Sequence, residues 1–139
     1  MSSHHQQISE WLGVRPSQTE QDLVNLAERQ LPVSAISRLL TLGLTRAEVD
    51  HLVIPSRTLQ HRRSRREKLT IDESDRVLKV MYALSQAEQL YGSRERALTW
   101  LRRPNPRLNN RAPLALLETA MGSRRVDELL VQIDEGMFV

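Results

Sequence analysis

The chain contains no cysteine. That excludes disulfides, thiol nucleophiles and thiolate metal sites, and it fits a reducing cytoplasm. Aromatic residues make up 4% of the 139 positions, so a core has to be built from Leu, Val, Ile and Ala. Five glycines occur (Gly13, Gly43, Gly92, Gly122 and Gly136), and no two are close enough to make a loop that cradles phosphate. No apolar run approaches the roughly 18 residues of a membrane span, and "MSSHHQQISE" lacks the apolar stretch of a signal peptide. A cytoplasmic protein without a membrane partner is the expectation. There is no H-E-x-x-H pair, no nucleophile elbow and no P-loop. The chain is therefore not expected to be an enzyme, and neither a catalytic residue, a cofactor nor a bound metal is assigned.

Hydrophobic residues make up 40% of the chain, enough for one packed domain or two small ones. The net charge of +3 is unevenly spread. Residues 57–68, "RTLQHRRSRREK", hold six basic side chains and one acidic one, a local charge of +5. Residues 1–56 and 69–92 are each −2, and 93–139 are +2. Positive charge gathered on one element suits a polyanionic partner. The plainer reading of the same run is a solvated helix face.

Helical periodicity runs through the whole chain, and no alternating strand pattern appears. "TEQDLVNLAERQ" reads as a helix, "PVSAISRLLTLG" as a second opened by Pro32, and "LTRAEVDHLV" as a third with Thr45 and Glu48 as a capping box. A fourth is expected from Pro55 or Ser56 to Lys68. From Thr70 to Tyr91 the spacing of Val77, Met81, Leu84, Ala87 and Tyr91 predicts a long helix, again with a capping pair, Thr70 and Glu73. Ser93 is placed to cap the next, which carries Trp100 and Leu101 and stops before Pro104. A Pro/Asn/Arg connector follows, in which Asn109 or Asn110 is expected to turn left-handed. Pro113 then opens a helix expected to reach Gly122, and Ser123 is expected to cap the last one, with a core stripe of Val126, Leu129, Leu130 and Ile133. At least four of the glycines fall where a helix should end. His4 and His5 lie at the start, where fraying would leave them without a role. The fold class is all-α.

The pair Arg46–His51 and Ser56–Lys68, joined by "LVIP", has helix-turn-helix dimensions. Ala47 and Val49 are expected to face inward from the first helix, and Leu59 from the second. Arg57, His61, Ser64, Arg65 and Lys68 are expected roughly opposite Leu59, with Thr58 and Gln60 flanking that face; Ser56, Arg57, Gln60 and His61 are the candidate base readers, and Arg65 and Lys68 the candidate phosphate contacts. Arg62 is a further DNA candidate, although Arg62, Arg63 and Arg66 stand nearer the Leu59 side and pairing with acidic residues is the alternative. His61 has no second histidine at ligand spacing, so it reads as a donor and not as a metal ligand.

Four stretches, in order, are similar to the Xre/MbcA/ParS-type antitoxins of bacterial RES–Xre toxin–antitoxin modules. "SRTLQHRR" is followed by "LTIDESDRVLKV", like the family's L-T-x-x-E-S-D-R run. "ERALTWLRRPNPRL" resembles its A-x-x-W-L-x-x-P-N segment. "APLALLETAMGSRRVDELLVQIDEGMFV" resembles its P-x-x-L-L-x-T-x-x-G-x-x-x-V-x-x-x-L-x-x-I-x-x-G ending. The resemblance spans about Leu31 to Val139. It implies an Xre-like helix-turn-helix half, expected over residues 1–92 with the motif at about 45–68, and a small helical toxin-binding domain over 93–139. It further implies a homodimer that binds operator DNA and a cognate RES-domain, NAD-consuming toxin, with the antitoxin's C-terminal end blocking the toxin's active site. Carried onto this chain, that end is Glu135, Gly136, Met137, Phe138 and Val139. The chain departs from the family at Asn109–Ala112, where a glycine-containing turn and a Ser or Thr before the proline are usual.

By its residues alone, an apolar tail after a glycine either packs back on its own domain or enters a partner, where a carboxylate beside Asp134 and Glu135 suits cationic groups that hold phosphates. Two functions therefore stay open: an antitoxin that neutralises by contact and represses its own operon, and a stand-alone helix-turn-helix regulator whose C-terminal half mediates dimerisation.

Overall fold

The structure is a computed structural model and describes residues 3–136. Among the described residues it is all-helical, with nine α-helices, one 3₁₀ turn, and no strand pairing beyond a single bridge between Asn105 and Arg111. The chain divides into two compact units, one ending at Tyr82 and the other beginning at Ala83.

The first unit holds α1 (His4–Leu12), α2 (Glu20–Glu28), α3 (Ser34–Thr41), α4 (Arg46–Leu52), α5 (Ser56–Ser64) and the start of α6 (Ile71–Tyr91). Hydroxyl residues open four of these helices. Ser3, Thr19, Thr45 and Thr70 each accept an N–H from the third helical residue, whose own side chain (Gln6, Asp22, Glu48 or Glu73) returns the bond. Each such cap contributes roughly 1 kcal/mol, which matters most for α1, α2 and α4, helices too short to persist alone. α1 packs on α2 and α3, and α3 on α4. The core is aliphatic, with Ile8, Ile36, Leu39, Ile54, Leu69 and Met81 almost wholly buried. His4 and His5, which the sequence left without a role, open α1 and rest against Tyr82, with ring centroids 5.5 and 6.1 Å away.

Two backbone expectations are corrected here. Ala47 is exposed, whereas Val49 is buried as expected, joined by Leu52 one turn on. The basic helix ends at Ser64 and not at Lys68. The Ser64 hydroxyl donates to the His61 carbonyl at 3.0 Å, Arg66 turns left-handed at φ 55°, and the Glu67 N–H closes back on the Arg62 carbonyl at 2.9 Å. This stop lets the chain reverse and insert Leu69, whose N–H donates to the Leu31 carbonyl at 2.9 Å.

The second unit holds the rest of α6, α7 (Arg94–Arg102), a 3₁₀ turn at Pro106–Leu108, α8 (Pro113–Leu116) and α9 (Ala120–Asp134). Gly92, left-handed at φ 85°, ends α6, and Ser93 caps α7. Trp100 lies 5.8 Å from the Tyr91 ring, and Leu101 is buried. The connector is an ordered loop. Asn105 accepts the Arg107 N–H on its side chain and the Leu108 and Asn110 N–H groups on its carbonyl, while its own N–H donates to the Arg111 carbonyl at 3.0 Å. Asn109 and Asn110 are both left-handed, as short amide side chains allow. Arg125 donates to the Arg107 carbonyl at 3.3 Å. Ala112 gives α8 no side-chain cap, although Pro113 occupies its first turn.

The final two helices divide earlier than their pattern suggests. α8 is a single turn, and its chain winds down through long bonds of 3.2–3.4 Å from Leu117, Glu118 and Thr119 to the carbonyls three residues before each. Thr119, not Ser123, caps α9, accepting the Gly122 N–H at 2.9 Å. Gly122 therefore lies inside α9 and ends nothing. It is glycine because a Cβ there would run into the Leu116 carbonyl oxygen. The expected stripe is core at Val126, Leu129 and Leu130, with Ile133 half-buried at its edge.

Gly122→Ala is expected to lower thermal stability despite alanine's better helix propensity, by about 1–3 kcal/mol for an overpacked contact with backbone. Denaturant titration followed by circular dichroism checks it.

Candidate DNA-reading helix and partner-binding end

The turn between α4 and α5 is set by burial. Leu52, Val53 and Ile54 are all buried, so the chain turns with three apolar residues inward and Pro55 at the mouth of α5. Pro55 offers no side-chain cap, and Asp50 supplies one from α4. The Ser56 N–H donates to Asp50 Oδ1 at 2.6 Å and the Ser56 hydroxyl to the same oxygen at 2.9 Å. Those two bonds hold the Asp50 carboxyl below the usual carboxylate range. A carboxylate at a helix N-terminus is also favoured by the helix dipole. Ser56, expected to read bases, thus has its hydroxyl proton committed to the turn.

α5 buries no residue completely; Leu59 and Thr58 are half-buried. Arg57, Gln60, His61 and Ser64 recur at three and four residues and are all exposed, forming one outward stripe. Arg63 is exposed on the rim of a groove of about 200 Å³ between α3, α4 and α5, with Arg46 on the same rim. Arg65 is the residue after the last helical one, and Lys68 is exposed beyond the reversal. Both stand outside the helix that the sequence assigned them to.

Arg62 follows the alternative left open by the sequence and pairs with acidic residues. Its Nε and Nη2 donate to the two oxygens of Glu73 at 3.2 Å each, and its Nη1 is 3.7 Å from Glu67. Glu73 is almost buried and also accepts the Thr70 N–H at 2.8 Å. Burial opposes its ionisation, but the Arg62 fork and the Thr70 N–H outweigh that and hold the carboxyl below its ordinary value. A two-pronged bond to an already capped carboxylate explains why Arg62 turns inward. Arg76 fixes the same region by donating to the Val53 carbonyl at 3.3 Å. Asp50 and the Arg62–Glu73 pair were not found from the sequence: spacings of six and eleven residues across a turn follow no local pattern.

At the other end of the chain, α9 closes at Glu135, and Gly136 is left-handed at φ 75° with its N–H on the Ile133 carbonyl. Both are exposed. Met137, Phe138 and Val139 lie outside the described residues. On α9, Asp127 is half-buried with no cation paired to it among the described residues. No group of three or more potential metal ligands occurs among the described residues, and no helix there is long and apolar enough to cross a membrane.

Residues 22–82 match the family model for the antitoxin Xre-like helix-turn-helix domain, and residues 86–136 the model for the antitoxin Xre/MbcA/ParS C-terminal toxin-binding domain. The chain belongs to the Xre/MbcA/ParS antitoxin family. Its curated relatives include the antitoxin Xre of Pseudomonas putida, 40% identical over 93 residues, which are 67% of this chain and 58% of that one. The antitoxin Xre of Yersinia enterocolitica is 35% identical over 86 residues, 61% of this chain and 58% of its own. That of Photorhabdus laumondii is 28% identical over 126 residues, 88% and 84% of the two chains. The alignments thus span under two thirds of the first two relatives. Within this chain, α4 and α5 fall in the helix-turn-helix match, and α7, α8 and α9 in the toxin-binding one.

Burial, with the charge of Glu128 beside it, pushes the Asp127 carboxyl up from its ordinary 3.8 to about 6. A folded-state value above the unfolded one means that the folded chain binds the proton more tightly. Stability is then greatest below pH 4 as far as this group is concerned, and falls as pH rises from about 4 through about 6. Asp127→Asn is expected to raise the melting temperature at pH 7.5 and to leave it unchanged at pH 4, as differential scanning calorimetry at the two pH values would read.

Proposed function

We propose that this antitoxin works in two places. Its N-terminal half, over residues 1–92, binds operator DNA and represses its own operon. Its C-terminal domain, over 93–139, binds a cognate RES-domain, NAD-consuming toxin and blocks the toxin's active site with the end Glu135–Val139. The protein acts as a cytoplasmic homodimer and has no catalytic role of its own. The observation that carries the DNA half is the outward stripe Arg57, Gln60, His61 and Ser64, exposed on a helix whose inward arginine is separately paired. Guanidinium, amide and imidazole groups at this spacing suit the donor and acceptor edges of base pairs. Arg63, Arg65 and Lys68 flank the stripe as phosphate contacts. The toxin half rests on the resemblance of the ending "LLVQIDEGMFV" and on the exposed, left-handed Gly136 that closes α9.

Two measurements test the two halves separately. Arg57→Ala is expected to cost about 1–3 kcal/mol on the operator and to relax its specificity, whereas Lys68→Ala should weaken binding to all sequences and reduce the salt slope by about one. Unchanged binding in both variants would return the basic helix to a plain solvated face.

Removal of Gly136–Val139 is expected to abolish protection from toxin-dependent growth arrest while leaving DNA binding intact. Full neutralisation by the truncated chain rules out the plug. If the protein expressed with the neighbouring reading frame copurifies with no stoichiometric partner, the stand-alone regulator is the better description.

A further inference from the structure

We infer that Arg62 is a positioning residue for the reading stripe of α5, acting through Glu73, and makes no contact with DNA itself; this rests on the DNA-binding reading above. α5 is the most basic element of the chain, yet it buries no side chain completely, and Leu59 and Thr58 give it only a half-buried apolar edge. Packing alone therefore fixes its rotation about its own axis weakly. Two polar attachments do that instead. At its start, Ser56 is tied to Asp50 by two bonds to one oxygen. Nearly two turns later, Arg62 is tied to both oxygens of Glu73.

The second attachment is the stiffer. A guanidinium fork on a carboxylate fixes direction as well as distance, which a single ammonium cannot do. Glu73 is itself immobilised, since its Oε1 also takes the Thr70 N–H at the start of α6. The Arg62 side chain is 21% exposed and that of Glu73 8%, so the pair is shielded from water far more than a surface ion pair. With Nε and Nη2 on Glu73 and Nη1 facing Glu67, the guanidinium is turned toward acids on every side the structure shows. It has little to offer a phosphate. Rotating α5 by a fraction of a turn would carry Arg57, Gln60 and His61 off their base edges while leaving a flexible lysine able to follow a phosphate.

The test uses the full chain, two duplexes of equal length (the DNA upstream of its own gene, and a shuffled sequence of the same composition) and fluorescence anisotropy over a range of salt. Arg62→Gln is expected to reduce the preference for the upstream duplex about tenfold, with the affinity for the shuffled duplex and the salt slope unchanged. Arg62→Lys should not restore the preference, and Glu73→Gln should lower it in the same way. A role in phosphate binding gives opposite results: a slope reduced by about one in Arg62→Gln and restored by lysine, and tighter binding in Glu73→Gln, which would release the arginine. Either result overturns the inference. Circular dichroism at the titration temperature checks that the variants are folded; if Arg62→Gln is not, the sign of the Glu73→Gln effect decides. Loss of preference in Arg57→Ala with none in Arg62→Gln or Glu73→Gln sinks the positioning role alone. Absence of salt-dependent binding by the unmodified chain sinks the DNA reading beneath it.

Discussion

The Glu73 carboxylate is the constraint on which the geometry of the N-terminal unit turns. One nearly buried acid caps α6 through the Thr70 N–H and grips α5 through both arms of Arg62. An isolated buried charge would be costly, and a buried pair with unmet bonds only slightly less so. Here a backbone donor and a guanidinium fork together keep the group ionised. The same acid thus fixes where one helix begins and how another is rotated, so the cationic face presented outward is a consequence of an anionic residue facing in.

In the C-terminal unit the comparable role falls to backbone contact. Gly122 lets the first turn of α9 approach the Leu116 carbonyl more closely than any side chain would allow. The connector before α8 is held by Asn105, whose backbone and side chain together meet four partners in the loop. α8 needs such support because it is one turn long and its N-cap position is alanine. Short helices that do not nucleate alone are here ordered by their neighbours.

Much of this was legible in the chain. Thr45 with Glu48 and Thr70 with Glu73 mark helix starts by a pattern three residues long, and both caps form as read. Four glycines mark helix ends and adopt the left-handed turn expected of them. What the pattern hid was whatever depends on residues far apart. The basic helix looked longer because arginine and lysine are good helix formers, and only the need to bury Leu69 beside Leu31 explains its stop at Ser64. Gly122 looked like punctuation because its contact, Leu116, lies across a helix break that propensity does not reveal. In the candidate site, periodicity identified the outward stripe, yet it could not sort Arg62 from Arg63, neighbours in sequence with opposite surroundings. Whether an arginine faces solvent or an acid is decided by a residue eleven positions away.

α5 contributes no fully buried side chain to the unit it belongs to. Its outward positions are consequently released from the demands of folding, which rest on Ser56, Leu59 and Arg62. Substitutions at 57, 60 and 61 could accumulate at almost no thermodynamic penalty. A scaffold arranged in this way separates what α5 presents from what holds it in place, so its outward face can change without the fold having to be rebuilt.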